Sequence, residues 1–480
     1  MDLPSFVSAL GMWSAAKGAL HRKLGQAIQR AISSGIVAQG VRLPAERALA
    51  KALAVSRATV VSAYAALADA GWIESRRGSG AYVRHSSRIA HATRDVAAAS
   101  PLFGLISQDR DLVIDMALGT PYAPGLPREL FTLPREEENA LLDDRMYYPL
   151  GLAILRRALA KRLTAIGLPT IEDQILVTNG AQQAISLIAA LYVQRGDTVL
   201  VEDPTYFGAI EAFRATGARV SSMPVGVEGV APSVLKDRIA ATAPRLIYLT
   251  PTYQNPTGAV MPVGARRAVS KLSREFGVPV IDDASLADLV LEGSPPGPIA
   301  AFGDHEGLLT VGSVSKLIWP GLRVCWIRAA APMIERLGRI KTAHDLGSPL
   351  VSQAVGARLI HAMPLAQRLR REQLRPRRAL LAQLLRKHLP QWQFSIPEGG
   401  FFLWVRLPDG DARELAQVAL RHGVLILPGS MLSAAGLYTR FLRLPFLADP
   451  EVLGDGVARL AGAWREYEAT PVTRKTSAIA

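Results

Sequence analysis

Residues 312–324 read GSVSKLIWPGLRV. Lys316 follows two small hydroxyl residues, Ser313 and Ser315, and a Pro-Gly pair and Arg323 come after it. Apolar neighbours predict burial, and a buried lysine is costly unless something pairs with it or bonds to it. Around it, TVLVED (198–203), RLIYLT (245–250), VPVIDD (278–283), LLTVGS (308–313) and RVCWIR (323–328) are short, β-rich and almost continuously apolar. Strands buried on both faces of a parallel sheet read this way. Helical stretches such as AQQAISLIAALYV (181–193) and GARRAVSKLSREF (264–276) lie between strand positions. The fold class is α/β, with a large domain over residues 113–468 and a mostly parallel sheet.

Ligands of such sheets sit at the carboxyl ends of the strands. LVTNGAQQAI puts Gly180, Ala181 and Gln182 at a helix start, where backbone N–H groups suit a phosphate. VEDPTYFG places Tyr206 just past a strand, able to stack on a flat ring. TPTYQNPTG holds Asn255 in a proline-braced turn, able to bond a phenolic oxygen. VIDDAS places Asp282 and Asp283 at another strand end, where a carboxylate could hold a protonated ring nitrogen. Lys316 supplies an amine, and Ser313 and Arg323 help hold the phosphate. Each feature is weak alone, since a strand-end Asp is often a cap and a lone Tyr is usually packing. In this order they specify a phosphorylated aromatic aldehyde held as a Schiff base on Lys316, which is pyridoxal 5'-phosphate.

With these motifs in order, and with PEGGFFLWV (397–405) and FLRLPF (441–446) beyond them, the chain resembles the fold-type I aminotransferases. The resemblance implies that Arg443 binds the carboxylate of a substrate or effector. It aligns Asp283 with the ring-binding Asp, with Asp282 as the fallback, and implies a tyrosine two or three residues past it, where this chain has Ala284, Ser285 and Leu286. Cofactor binding should survive that change, and efficient transamination is the activity it puts in question. A tyrosine offered to the phosphate by a partner subunit corresponds to Tyr147 or Tyr148, at a spacing off by a residue or two.

The first sixth of the chain is different. Residues 14–84 carry eleven Lys/Arg against three Asp/Glu, while the other 409 residues carry 44 against 38. The asymmetry favours a polyanion partner, or else a solvated basic face. Leu20, Leu24, Ile28 and Ile32 form one helical stripe, and a second helix starts near Pro44. Ser56 caps a third helix whose inward face is Val60, Tyr64 and Leu67, and Gly71 ends it. WIESRRGSGAYV (72–83) then reads as a two-stranded wing. This describes a winged helix-turn-helix, with its third helix entering the major groove and Ser56, Arg57 and Thr59 reaching bases or phosphates. Residues 20–83 resemble the DNA-binding domain of the GntR family of bacterial repressors. With Arg76 also on the wing, the contact set expected for double-stranded promoter DNA is Arg42, Glu46, Arg47, Ser56, Arg57, Thr59, Tyr64, Arg77 and Gly78. Ala45 stands where that family usually has a capping serine.

Residues 85–112, short on large apolar side chains, read as a linker between the modules at 14–84 and 113–468. A GntR-like reader joined to an aminotransferase-like domain resembles the MocR subgroup of transcription regulators. That resemblance implies a cytoplasmic homodimer with reading heads exchanged between subunits. It implies a regulator that senses pyridoxal phosphate itself or an amino compound. A catalytically active aminotransferase is the alternative, and residual transaminase activity is compatible with either. No run of about 18 apolar residues suggests a membrane span, no signal peptide is read, and a single cysteine, Cys325, fits a reducing compartment. No metal site is expected.

Overall fold

The computed structural model describes residues 1–15, 18–76, 79–84, 113–303 and 305–469. The expected linker at 85–112 and the wing residues Arg77 and Gly78 lie outside them.

The N-terminal head holds α1 (Leu3–Ala9), α2 (Leu20–Ser33), α3 (Glu46–Ala52) and α4 (Arg57–Asp69). An antiparallel wing of β1 (Ile73–Arg76) and β2 (Gly80–Val83) follows. Leu24 and Ile28 of α2 are buried against Leu49, Val60 and Leu67 in one core. Ser56 caps α4, its Oγ accepting from the Thr59 backbone N–H at 3.1 Å. At α3 the cap position is Ala45, and no side chain satisfies the helix start there. Gly71 takes φ +77°, the left-handed turn that ends α4. The head begins earlier than Ser14, because Phe6, Leu10 and Trp13 are buried in the same core. Tyr64 is a correction to the expected DNA contacts. It is buried, and its hydroxyl donates to the Pro44 carbonyl at 2.9 Å, because its place on α4 faces the core.

The large domain is built on a seven-stranded sheet in the order β4-β10-β9-β8-β7-β5-β6. Its strands are β4 (Ile175–Thr178), β5 (Thr198–Asp203), β6 (Arg219–Pro224), β7 (Leu246–Leu249), β8 (Val280–Asp283), β9 (Leu308–Ser313) and β10 (Cys325–Arg328). Only β10 runs against the rest, pairing antiparallel with β4 and β9. The exposed α5 (Arg135–Asp143) precedes the sheet. Helices α7 (Ala181–Tyr192), α8 (Phe207–Ala215) and α11 (Ala331–Asp345) bury one face. Packed on the other are α6 (Ala153–Ala165), α9 (Pro232–Thr242), α10 (Val263–Phe276), α12 (Leu350–His361) and α13 (Met363–His388).

A smaller subdomain carries a second sheet, ordered β11-β12-β14-β13-β3. It comprises β3 (Ile114–Met116), β11 (Gln393–Phe394), β12 (Phe402–Arg406), β13 (Val424–Pro428) and β14 (Phe441–Pro445). Helices α14 (Ala412–Arg421) and α15 (Pro450–Ala469) cover it. Among the described residues, no helix is long and apolar enough to cross a membrane.

Candidate functional site

The carboxyl ends of β4, β5, β7, β8 and β9 converge where Lys316 follows β9. Its Nζ donates to the Gly119 carbonyl at 2.8 Å. Burial, and then the Arg443 charge, push the Lys316 ammonium down to about 8. A lysine in that range is a usable nucleophile near neutral pH. Ser313 and Ser315 are buried beside it. The Ser313 Oγ accepts from the Ser315 N–H at 3.0 Å and lies 2.9 Å from the Cys325 thiol, which donates to it. The Ser315 Oγ is buried with no hydrogen-bond partner among the described residues.

Arg443 comes from β14 in the other sheet. Its Nη1 donates to Asn255 Oδ1 at 2.9 Å and its Nη2 to the Ala117 carbonyl at 2.8 Å, above the Phe402 ring. Only 3% of it is exposed, and its Nε has no hydrogen-bond partner among the described residues. Burial pushes this guanidinium down to about 9. Among the described residues no carboxylate forms an ion pair with it. A buried cation in that state is costly and suits an anionic ligand.

The two aspartates of β8 separate because successive side chains of a strand face opposite ways. The Asp283 carboxylate accepts from the Tyr248 hydroxyl at 2.6 Å and the Ser285 N–H at 3.0 Å. Its charge acts on Tyr206 and Lys316, so it lies on the lysine side. Asp282 accepts from the Ile299 N–H at 2.7 Å; burial pushes it up to about 6, against the opposing charge of Arg266. Ser285, in the stretch that lacks the tyrosine, has a buried hydroxyl with no partner among the described residues.

Gly180 at the start of α7 has φ +102°, and a Cβ there would lie 2.0 Å from Arg323 Nη2. Only glycine therefore lets the guanidinium approach the helix start, where Ala181 and Gln182 follow. Arg323 is exposed, donates to the Asn179 carbonyl at 2.6 Å, and itself takes φ +57°. A non-glycine residue in that region is strained, and such strain gathers at ligand sites. Beneath the loop, Asp345 accepts from Asn179, Gln183 and Lys341. Tyr206 is half-buried at the start of α8, and a Cβ on Gly208 would strike its hydroxyl and the Gln182 amide oxygen. Tyr147 is exposed, while the Tyr148 hydroxyl donates to Asp144 at 2.6 Å.

These residues fit the group expected from the sequence. An amine, an unpaired buried guanidine N–H, two buried hydroxyls and a glycine-dependent anion pocket all meet at one place. The sequence reading missed Tyr248 and Glu202. Each was legible only as a polar residue inside an apolar strand, TVLVED or RLIYLT. Glu202 is fully buried, which pushes its carboxyl up to about 7, and its Oε2 accepts from the Thr250 N–H at 3.0 Å.

In the head, Arg42 and Arg47 are exposed, with Arg42 bridged to Tyr82 of the wing. Glu46 and Arg57 pair with each other at 2.8 Å, and the Ser56 and Thr59 hydroxyls lie 2.9 Å apart. Arg76 stacks over the Tyr82 ring and pairs with Glu74.

Family models match the chain twice. The model for aminotransferase class I and II covers residues 138–460, and the model for bacterial regulatory proteins of the gntR family covers residues 20–83. The HTH-type transcriptional regulator YdfD of Bacillus subtilis is 30% identical over 430 residues, spanning 86% of this chain and 89% of that protein. The probable rhizopine catabolism regulatory protein MocR of Rhizobium meliloti is 27% identical and spans 96% of this chain and 97% of its own length. Among solved structures, the α-aminoadipate aminotransferase LysN of Thermus thermophilus superposes with a TM-score of 0.69 at 29% identity. That match covers 74% of this chain and 93% of LysN, which was solved with N-(5'-phosphopyridoxyl)-L-leucine.

Proposed function

Because the chain belongs to the aminotransferase class I and II family and carries a gntR-family domain at its N-terminus, we propose that it is a pyridoxal-phosphate-dependent transcription regulator. Its domain order is that of the MocR subgroup. One observation carries the reading. A buried, nucleophilic Lys316 and a buried Arg443 with no ion-pair partner among the described residues share a chain with a winged helix whose Arg42 and Arg47 are exposed.

When bound, pyridoxal phosphate supplies an aldehyde that links reversibly to an amine. Lys316 Nζ is the protein amine placed to hold it. Asp283, kept in place by Tyr248, is the carboxylate for the ring nitrogen, and Tyr206 is the stacking partner. Ala181, Gln182, Ser313 and Arg323 would hold the phosphate, and Asn255 would bond the phenolic oxygen. Arg443 takes the carboxylate of an amino compound, or none is needed and the cofactor's own level is the signal. The head reads promoter DNA through α4 and the wing, with Arg42, Glu46, Arg47, Ser56, Arg57 and Thr59 as the proposed contacts among the described residues. Exposed Tyr147, Met146 and Leu142 support a homodimeric arrangement across that face.

The test is a titration onto the chain's own upstream DNA and onto a scrambled duplex, at fixed salt, with and without pyridoxal phosphate. Preference for the upstream DNA that changes with the cofactor supports the reading. Equal, cofactor-indifferent binding would reverse it. The low Lys316 pKa beside Arg443 also favours a second reading, transamination. Sustained turnover of an amino donor with a 2-oxo acid, at about 1 per second or faster, would establish it.

A further inference from the structure

The loop between β4 and α7 has to aim backbone N–H groups at a phosphate, and an ion pair lies against it. Asn179 and Gln183 flank the turn at Gly180. Asn179 Nδ2 donates to Asp345 Oδ2 at 2.9 Å, and Gln183 Nε2 donates to the same oxygen at 2.7 Å. Gln183 Oε1 accepts from the Asn179 N–H at 2.8 Å, which closes the loop on itself. The other Asp345 oxygen accepts from Lys341 Nζ at 2.6 Å and from the Gly347 N–H at 3.1 Å. Leu346, at φ +59°, makes the left-handed turn that brings that N–H back. One carboxylate therefore ties the loop to the end of α11.

Lys341 is fully buried, and its ammonium pairs with Asp345. An uncompensated carboxylate beside an anion site would repel the anion, and an uncompensated buried ammonium is costly. Paired, they leave the loop with hydrogen bonds and little net charge against it. Burial raises the Asp345 carboxyl, but the bonds from Lys341 and Gln183 outweigh it and hold the group below its ordinary value, so it stays an acceptor at neutral pH. The loop is fixed at a second point by Arg323 Nη2, which donates to the Asn179 carbonyl at 2.6 Å. A trans peptide points its C=O and N–H in opposite directions. With the carbonyl and the side chain of Asn179 both held, the Gly180 N–H has one direction. The N–H groups that open α7 follow it, and the first of these have no partner inside a helix.

We propose that Asp345, neutralised by Lys341, is the positioning residue of the phosphate pocket and gives the site its preference for pyridoxal phosphate over pyridoxal. This rests on the pyridoxal-phosphate reading above and names the chemical feature that the chain measures. Asp345 acts through Asn179 and Gln183. Lys316, Tyr206 and Asp283 are placed by other elements, so loss of the anchor removes affinity for the phosphate and leaves capture of the aldehyde.

The experiment titrates the full chain with pyridoxal phosphate and with pyridoxal, following the chromophore on Lys316. Both aldehydes can join the lysine, and only one carries a phosphate. The wild-type chain should bind pyridoxal phosphate the more tightly. Asp345→Asn keeps the side chain's size but turns one acceptor into a donor facing donors. It should weaken pyridoxal phosphate about tenfold or more, the worth of one charged hydrogen bond, and move pyridoxal by less than about twofold. Gln183→Leu, which removes one of the donors to Asp345, is read alongside in case Asp345→Asn folds poorly, and its loss should also be confined to pyridoxal phosphate. Equal losses for both aldehydes would reduce Asp345 to a structural brace and overturn the proposal, as would unchanged affinity for both. A wild-type chain that takes the two aldehydes alike would overturn the phosphate pocket. One that forms no chromophore with pyridoxal phosphate would overturn the cofactor reading, and the anchor with it.

Discussion

Lys316 sets the pH behaviour of the site. Its ammonium is pushed down to about 8, mainly by burial and next by Arg443. The unprotonated fraction rises about tenfold per pH unit below that value and levels off above it. Capture of pyridoxal phosphate, followed by absorbance, should therefore speed up from pH 6 to about 8 and then flatten, and Lys316→Ala should abolish the borohydride-reducible adduct. The stability sign runs the same way. Between about 8 and the unfolded value the unfolded chain binds the extra proton, so ligand-free stability from this residue rises with pH. At the same scale the sequence left Asp282 and Asp283 open, because adjacent carboxylates look alike in a string of letters. The strand pleat separates them. Asp283→Asn removes an acceptor shared with the Tyr248 hydroxyl and should weaken pyridoxal phosphate binding about tenfold or more, the worth of one charged hydrogen bond. Asp282→Asn should leave that affinity near wild type. Equal losses in both variants would refute the assignment.

At the scale of elements, legibility followed periodicity. The stripes of α2 and α4 and the apolar runs of the central strands are strong local patterns, and they form where the spacing puts them. The direction of β10 was hidden, since an apolar run reads the same in either orientation. Helix α1 was hidden too, because seven residues are too short to show a period. Its buried Phe6, and Leu10 and Trp13 beyond it, matter only once the rest of the head core is assembled. Tyr64 was read both as core and as a DNA contact; its hydroxyl, satisfied by Pro44, decides for the core. Ala45 leaves the start of α3 without a side-chain acceptor. Ala45→Ser should restore one and stabilise the head by about 1 kcal/mol. Thermal melting of the full chain in which the head transition does not rise would count against the missing cap.

At the scale of the molecule, the proposed DNA-reading surface and the proposed ligand site lie in different parts of the chain, so each can be tested by itself. The head carries a net charge of +8 over residues 14–84, so phosphate neutralisation should dominate its affinity and make it steeply salt-dependent. Arg47 is exposed on α3, and no ion pair within the described residues holds it. Arg47→Ala should weaken upstream and scrambled DNA alike and reduce the slope of log affinity against log salt by about one. The ratio of affinities with and without pyridoxal phosphate should stay at the wild-type value, because Arg47 lies outside the residues that gather around Lys316. Salt titrations of the wild-type chain and of Arg47→Ala, each with and without the cofactor, form a two-by-two comparison. If Arg47→Ala also collapsed the ratio, reading and response would be one surface.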